Sequence, residues 1–164
     1  MPTRRLVRVL SSLGLAVLLL APSARGELAA WDQAKVTGIA KGLATATDAL
    51  YETFVQQPPP KRESMQSDSY NKLGFLVSML RTNTGLLVKS LENGDGREQT
   101  VWIYEVLTSY ARSARSEART VFITKDVGER AAAVRRVLND LGPYYDPDFE
   151  TLAPLPSSEP GATR

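Results

Sequence analysis

Cysteine and histidine are both absent from the 164 residues. Without cysteine there is no disulfide, no thiolate metal site, no Cys-x-x-Cys-His haem attachment and no lipobox for a lipid anchor. Stability has to come from packing. Without histidine there are no imidazole ligands for zinc or haem and no Ser-His pair. The Glu-x-x-His pattern of di-iron bundles is excluded for the same reason. Strand-like alternation of useful length is also missing. No cofactor is expected from such a residue set.

Long apolar runs are scarce, and the one present lies at the start. Arg4, Arg5 and Arg8 precede an apolar stretch from Leu10 to Ala21. Ala24-Arg25-Gly26 then places small residues at -3 and -1 of a cleavage site. Residues 1–26 therefore read as a Sec-type signal peptide cleaved near Gly26. The run of about 12 residues is shorter than the roughly 20 of a membrane-spanning helix, so no membrane span is expected. The twin arginines also suggest the Tat route, but the strongly apolar run favours Sec. The implied location is periplasmic or secreted, and the Ala-, Arg- and Leu-rich composition suggests a bacterial envelope.

Cleavage there inverts the charge. Four of the 20 Lys+Arg fall before residue 27 and none of the 18 Asp+Glu do, which leaves a net charge of -2. The sequence pI of about 9.0 belongs mostly to the leader, and nucleic-acid binding is not expected.

Four helical stretches follow. Val36, Ile39, Leu43, Ala46, Leu50 and Phe54 recur every three or four residues over about Leu28 to Val55, until Pro58-Pro59-Pro60 stops the pattern. The second stretch spans about Asp68 to Asn93, with Leu73, Val77, Leu80, Thr84, Leu87 and Leu91 on one stripe and Asn93-Gly94 as its stop. Asp95 and Glu98 form a cap signal for a third helix reaching about Ile123. Its expected inner face includes Ile103, Leu107, Tyr110, Ala111, Ala114, Ala118, Val121 and Phe122. Asp126 and Glu129 open a fourth, shorter helix that Gly142-Pro143 ends.

The sequence thus predicts an all-α, up-down-up-down four-helix bundle over 27–142, with a short fourth helix and a Pro-rich tail over 143–164. Tyr144, Tyr145 and Phe149 are expected to fold back over the bundle end. The tail is expected to be disordered from about Ser157. Trp31 and Trp102 read as core or end-packing anchors. Bundles of this size outside the cytoplasm include the c′-type cytochromes, but their haem site has no counterpart here.

Arg112, Arg115 and Arg119 share a narrow strip of the third helix, beside Ala111, Ala114 and Ala118. Three guanidinium groups so placed form a candidate anion site for phosphate, carboxylate or a lipid headgroup. The plainer reading is a solvated face whose arginines pair with Glu105 or Glu117. Arg130, Arg135 and Arg136 strengthen the anion reading if they face the same groove. The alanines allow close helix packing, or leave a cleft for a flat ligand. Thr84 lies on the core stripe within a polar break, Thr82-Asn83-Thr84-Gly85. It either bonds back to its own helix or lines a polar pocket.

Two weaker patterns complete the set. Ser69-x-x-Lys72 matches a serine-nucleophile motif, but lacks the partner motifs and the chain length of that fold. Asp146, Asp148 and Glu150 gather carboxylates in a loop without the Gly and distal Glu of an EF-hand, so no metal is expected. No two acids are placed by spacing into a shared pocket, so no catalytic residue is assigned and an enzyme is not expected. Two functions remain: a non-enzymatic envelope bundle that binds a partner protein or forms a homo-oligomer, and a small-molecule or anion-binding protein using the arginine strip.

Overall fold

The computed structural model describes residues 27–60 and 66–153. The leader, residues 1–26, and the tail from 154 onward lie outside the described residues, as does the expectation of disorder beyond Ser157. Four helices make up the fold: α1 (Gln33–Gln56), α2 (Gln66–Glu92), α3 (Arg97–Glu117) and α4 (Lys125–Tyr145). Short links between successive helices make neighbours antiparallel. α1 packs along both α2 and α4, and α2 along α3, whereas α3 and α4 touch over only a short stretch. This is the expected four-helix bundle with one seam partly open.

Local chemistry sets the helix ends. Asp32 caps α1, its carboxylate accepting from the Lys35 amide at 3.0 Å. α2 ends at Glu92, and the turn after it passes through Gly94, whose φ of +92° suits a residue without Cβ. The expected Asp95 cap moves one residue on. Gly96 is the N-cap of α3, and its amide donates to the Gln99 side chain at 3.1 Å. α3 stops at Glu117 rather than Ile123. Ala118, Val121 and Phe122 therefore leave the helix, and Phe122 is 71% exposed instead of core. Trp102 is also not a core anchor, being 50% exposed on the outer face of α3.

Thr124, not Asp126, caps α4 through the Val127 amide. α4 is also longer than expected. It continues through Gly142 and Pro143 to Tyr145 and matches α3 at 21 residues. A residue before proline normally clashes in helical geometry through its Cβ, and Gly142 has none. Gly142 is buried under Phe149, whose ring occupies the space a Cβ would need.

The aliphatic stripes meet as expected. Val36, Leu43, Leu87, Ile103, Leu107, Leu138 and Leu141 are almost fully buried. One end of the bundle is aromatic. Tyr145 stacks on Tyr104 at 4.8 Å and takes the edge of Trp31 at 5.5 Å, and Tyr144 meets Trp31 edge-on. Polar bonds tie the same end together. Gln33 donates to the carbonyls of Leu91 and Asp95, Arg97 to that of Ala29, and the Ala29 amide to that of Pro143. The opposite end is held by Gln57, which is buried. Its side chain accepts from the Thr124 amide at 2.9 Å and donates to the Phe122 carbonyl at 3.3 Å. Beside it, Phe54 stacks on Tyr70. Among the described residues no helix is long and apolar enough to cross a membrane.

The substitution G142A is expected to destabilise the fold by about 1–3 kcal/mol, because the new methyl displaces Phe149. In the F149A background the same change should cost much less. Denaturant unfolding of the four proteins of this double-mutant cycle checks the coupling.

The two buried phenols differ in a way that can be measured. The Tyr145 hydroxyl bonds Thr100 Oγ1 at 3.0 Å, whereas the Tyr104 hydroxyl is buried with no partner among the described residues. Y145F should cost about 1 kcal/mol, and Y104F should be neutral or stabilising. Burial raises both pKa values above the ordinary 10.0. Their contribution is full below pH 10 and lost as pH rises above it. Y104F should therefore move the midpoint of alkaline unfolding upward, as followed by circular dichroism.

Candidate functional site

The open seam between α3 and α4 encloses a cavity of about 310 Å³. Its origin lies in side-chain size. α3 presents Ala111 and Ala114 to it, its C-cap Ala118 continues that wall, and α4 presents Ala131 and Ala132. Methyl side chains on both sides cannot bridge the space between two backbones that are held apart at their ends. The floor is aliphatic and aromatic: Leu50 and Phe54 from α1, and Leu73, Val77 and Leu80 from α2. Ile123 and Val127 line the end near the α3–α4 turn.

The outer wall comes from the chain after α4. Glu150 to Ala153 run back beside the helix and line the cavity. Two hydrogen bonds fix this strap: the Leu152 amide donates to Asn139 Oδ1 at 2.9 Å, and Arg135 Nη1 donates to the Leu152 carbonyl at 3.2 Å. The Leu152 side chain is buried.

Polar groups in the lining are few. They are Arg112, Arg115, Arg135, Glu150 and Thr151. Arg112 is exposed, while Arg115 and Arg135 are half-buried, so the charge sits where the cavity meets solvent. Among the described residues three guanidinium groups and one carboxylate line the cavity. The Arg135 Nε is buried and has no hydrogen-bond partner among the described residues.

No known protein family, no curated protein and no solved structure matches this chain. Its chemistry is therefore read from the cavity itself.

The expected site residues fall in different places. Arg112 and Arg115 line the cavity, and Ala111, Ala114 and Ala118 line it beside them. Arg119 does not. It sits in the turn after Glu117, where its amide bonds the Ser116 carbonyl, so it no longer continues the helical strip. Arg135 joins from α4, whereas Arg130 and Arg136 are exposed and off the lining. Thr84 is fully buried and donates to the Leu80 carbonyl of its own helix at 2.8 Å, away from the cavity. Lys72 is exposed on the first turns of α2. Asp146 accepts from the Asp148 amide at 2.9 Å, and the described residues hold no group of three acids placed to share a metal ion.

Filling the slot from one wall should tighten the protein. A114L places apolar atoms in vacant space and is expected to raise unfolding stability by about 1 kcal/mol. Guanidinium titration followed by circular dichroism measures it.

Proposed function

We propose that this protein is an exported, non-enzymatic binding protein for one small amphipathic ligand. The apolar body of the ligand lies between α3 and α4, and its anionic group meets Arg112, Arg115 and Arg135. One observation carries the reading: an apolar cavity of about 310 Å³ with the guanidinium-bearing side chains of Arg112 and Arg135 in its lining. That volume is at the small end of ligand pockets, which run roughly 300–1,000 Å³. Apolar walls supply affinity, and a few convergent charges supply orientation. A ligand of about a dozen heavy atoms, gaining roughly 0.6 kcal/mol per atom, binds at about -7 kcal/mol, in the micromolar range.

The lining also argues against acid-base catalysis there. Among the described residues Glu150 is its single carboxylate and it is exposed, so no desolvated acid-base pair lines the cavity. The partner-protein reading uses the bundle face together with the aromatic tail. Tyr144 and Tyr145 are buried, and Phe149 lies over Gly142, so those rings are engaged within the fold. Export rests on the leader pattern of residues 1–26.

Anilinonaphthalene sulfonate, an apolar dye with one negative charge, tests the cavity. Wild-type protein should bind one dye with micromolar affinity. A131F, which fills the slot, should weaken binding at least tenfold while keeping the helical spectrum. Equal binding by both proteins would move the site elsewhere. Sequencing the amino terminus of protein exported by a bacterial host should read Glu27 first.

A further inference from the structure

The strap after α4 is the weakest wall of the cavity. The deeper walls belong to the four helices and to the turn between α3 and α4. Residues 150–153 lie outside any helix, and among the described residues no backbone–backbone hydrogen bond joins them to one. Glu150, Thr151 and Ala153 are exposed, and Leu152 between them is buried.

Both fastenings of the strap meet at Leu152. Its amide donates to Asn139 Oδ1 at 2.9 Å, and its carbonyl accepts from Arg135 Nη1 at 3.2 Å. Asn139 and Arg135 are one turn apart on α4, so they share a face and grip the two polar groups of one residue. The Leu152 side chain lines the cavity. The residue that fastens the strap is therefore also one that closes the cavity, and freeing its backbone lets its side chain withdraw. The segment before it is seated separately. Phe149 lies against Gly142, and its amide donates to the Asp146 carbonyl at 3.3 Å. Neither contact involves Asn139 or Arg135, so both survive the release of Leu152.

Resting on the ligand-binding reading above, we propose that residues 150–153 are the lid of the α3–α4 cavity. Leu152 is its latch and Phe149 its pivot, and a ligand enters when Asn139 and Arg135 release the Leu152 backbone.

Segments with few buried groups and few backbone bonds open locally, well below the cost of global unfolding. Here the amide and carbonyl of Leu152 find water as soon as they part from their partners, so neither is left unpaired in the open state. The main cost of opening is the exposure of one leucine side chain. A ligand in the cavity gives the seated Leu152 apolar atoms to pack on where the empty cavity has none, and so favours the shut lid. Entry needs the lid open, and retention needs it shut. The competing route passes exposed Arg112 at the rim with the strap in place.

Asn139 separates the latch from the walls. It bonds Leu152 but is not part of the cavity lining, so its replacement changes the fastening and leaves the cavity surface as it was. The test uses the full chain, expressed with its own leader, and anilinonaphthalene sulfonate. Stopped-flow fluorescence gives the rates, and NMR gives amide hydrogen exchange. In N139A the association and dissociation rate constants should both rise at least fivefold, because the open fraction grows in free and bound protein alike. N139D keeps an acceptor and should associate no faster than wild type. The wild-type Leu152 amide should exchange at least tenfold faster than those of Leu138 and Leu141, and saturating dye should slow it at least tenfold. Thermal melts confirm that the variants fold. If N139A is unfolded, exchange in the wild type decides. An unchanged association rate in folded N139A overturns the lid, as does N139D associating as fast as N139A, or Leu152 exchanging in step with α4. Dye binding that persists in these cases leaves the ligand-binding reading intact. Absence of dye binding to wild-type protein removes that reading, and the lid with it.

Discussion

The stack of Tyr104 on Tyr145 and the buried amide of Gln57 hold the two ends of the α3–α4 seam. Between them α3 lines the seam with Ala111 and Ala114 beside Arg112 and Arg115, and α4 with Ala131 and Ala132 among larger residues. A bundle usually closes such a seam by interlocking large side chains. Here the large residues of α4, Leu138 and Leu141, are committed to the shared core, and α4 lies along α1 instead of α3. The open slot follows from that division. Two fixed ends and short side chains between them leave a space that neither helix can fill.

The strap after α4 depends on the same arrangement. Phe149 can lie flat on α4 because Gly142 has no Cβ. That contact turns the chain back toward the slot, where Asn139 and Arg135 hold the backbone of Leu152 from both sides. Pro143 belongs to the same device. It has no amide hydrogen to donate to the helix, yet its carbonyl accepts from the Ala29 amide and ties the segment before α1 to the end of α4. A glycine-proline pair that reads as a stop in sequence therefore works inside the helix, as a seat for an aromatic ring and an anchor for a second segment.

The legible part of the fold was what helical periodicity encodes. The stripes of α1 and α2 were visible because Leu43, Leu50, Leu80 and Leu87 recur at fixed intervals and all end buried. Helix ends were less visible because capping depends on backbone geometry. Asp95 and Gly96 are adjacent, and it is Gly96 that takes the cap. The end of α3 was misplaced because Val121 and Phe122 continue the apolar rhythm after the backbone has turned at Ala118. Of the site, the pairing of Arg112 and Arg115 with the alanine strip was readable from one helix alone. Arg135 and Leu152 were not, since their place in the cavity depends on how α4 packs in the bundle and how the strap returns along it. The run Ala131-Ala132-Ala133 followed by Arg135 was the available signal, a second small-residue face with a cation at its edge.

Charge and shape in the cavity have separate origins, and this bears on what the site can discriminate. The slot follows from small side chains at Ala111, Ala114, Ala131 and Ala132. The rim is made by long cationic side chains, two from α3 and one from α4. Of these, Arg135 is tied to the strap through Leu152 and thus has a fixed orientation that a wholly solvated arginine lacks. A fixed donor discriminates between acceptor geometries, whereas a mobile one only attracts charge. In the proposed binding reading, any selectivity would depend on the strap as much as on the arginine. The strap in turn depends on Gly142, so a small residue buried near the end of α4 governs how the chain lies along the cavity's edge.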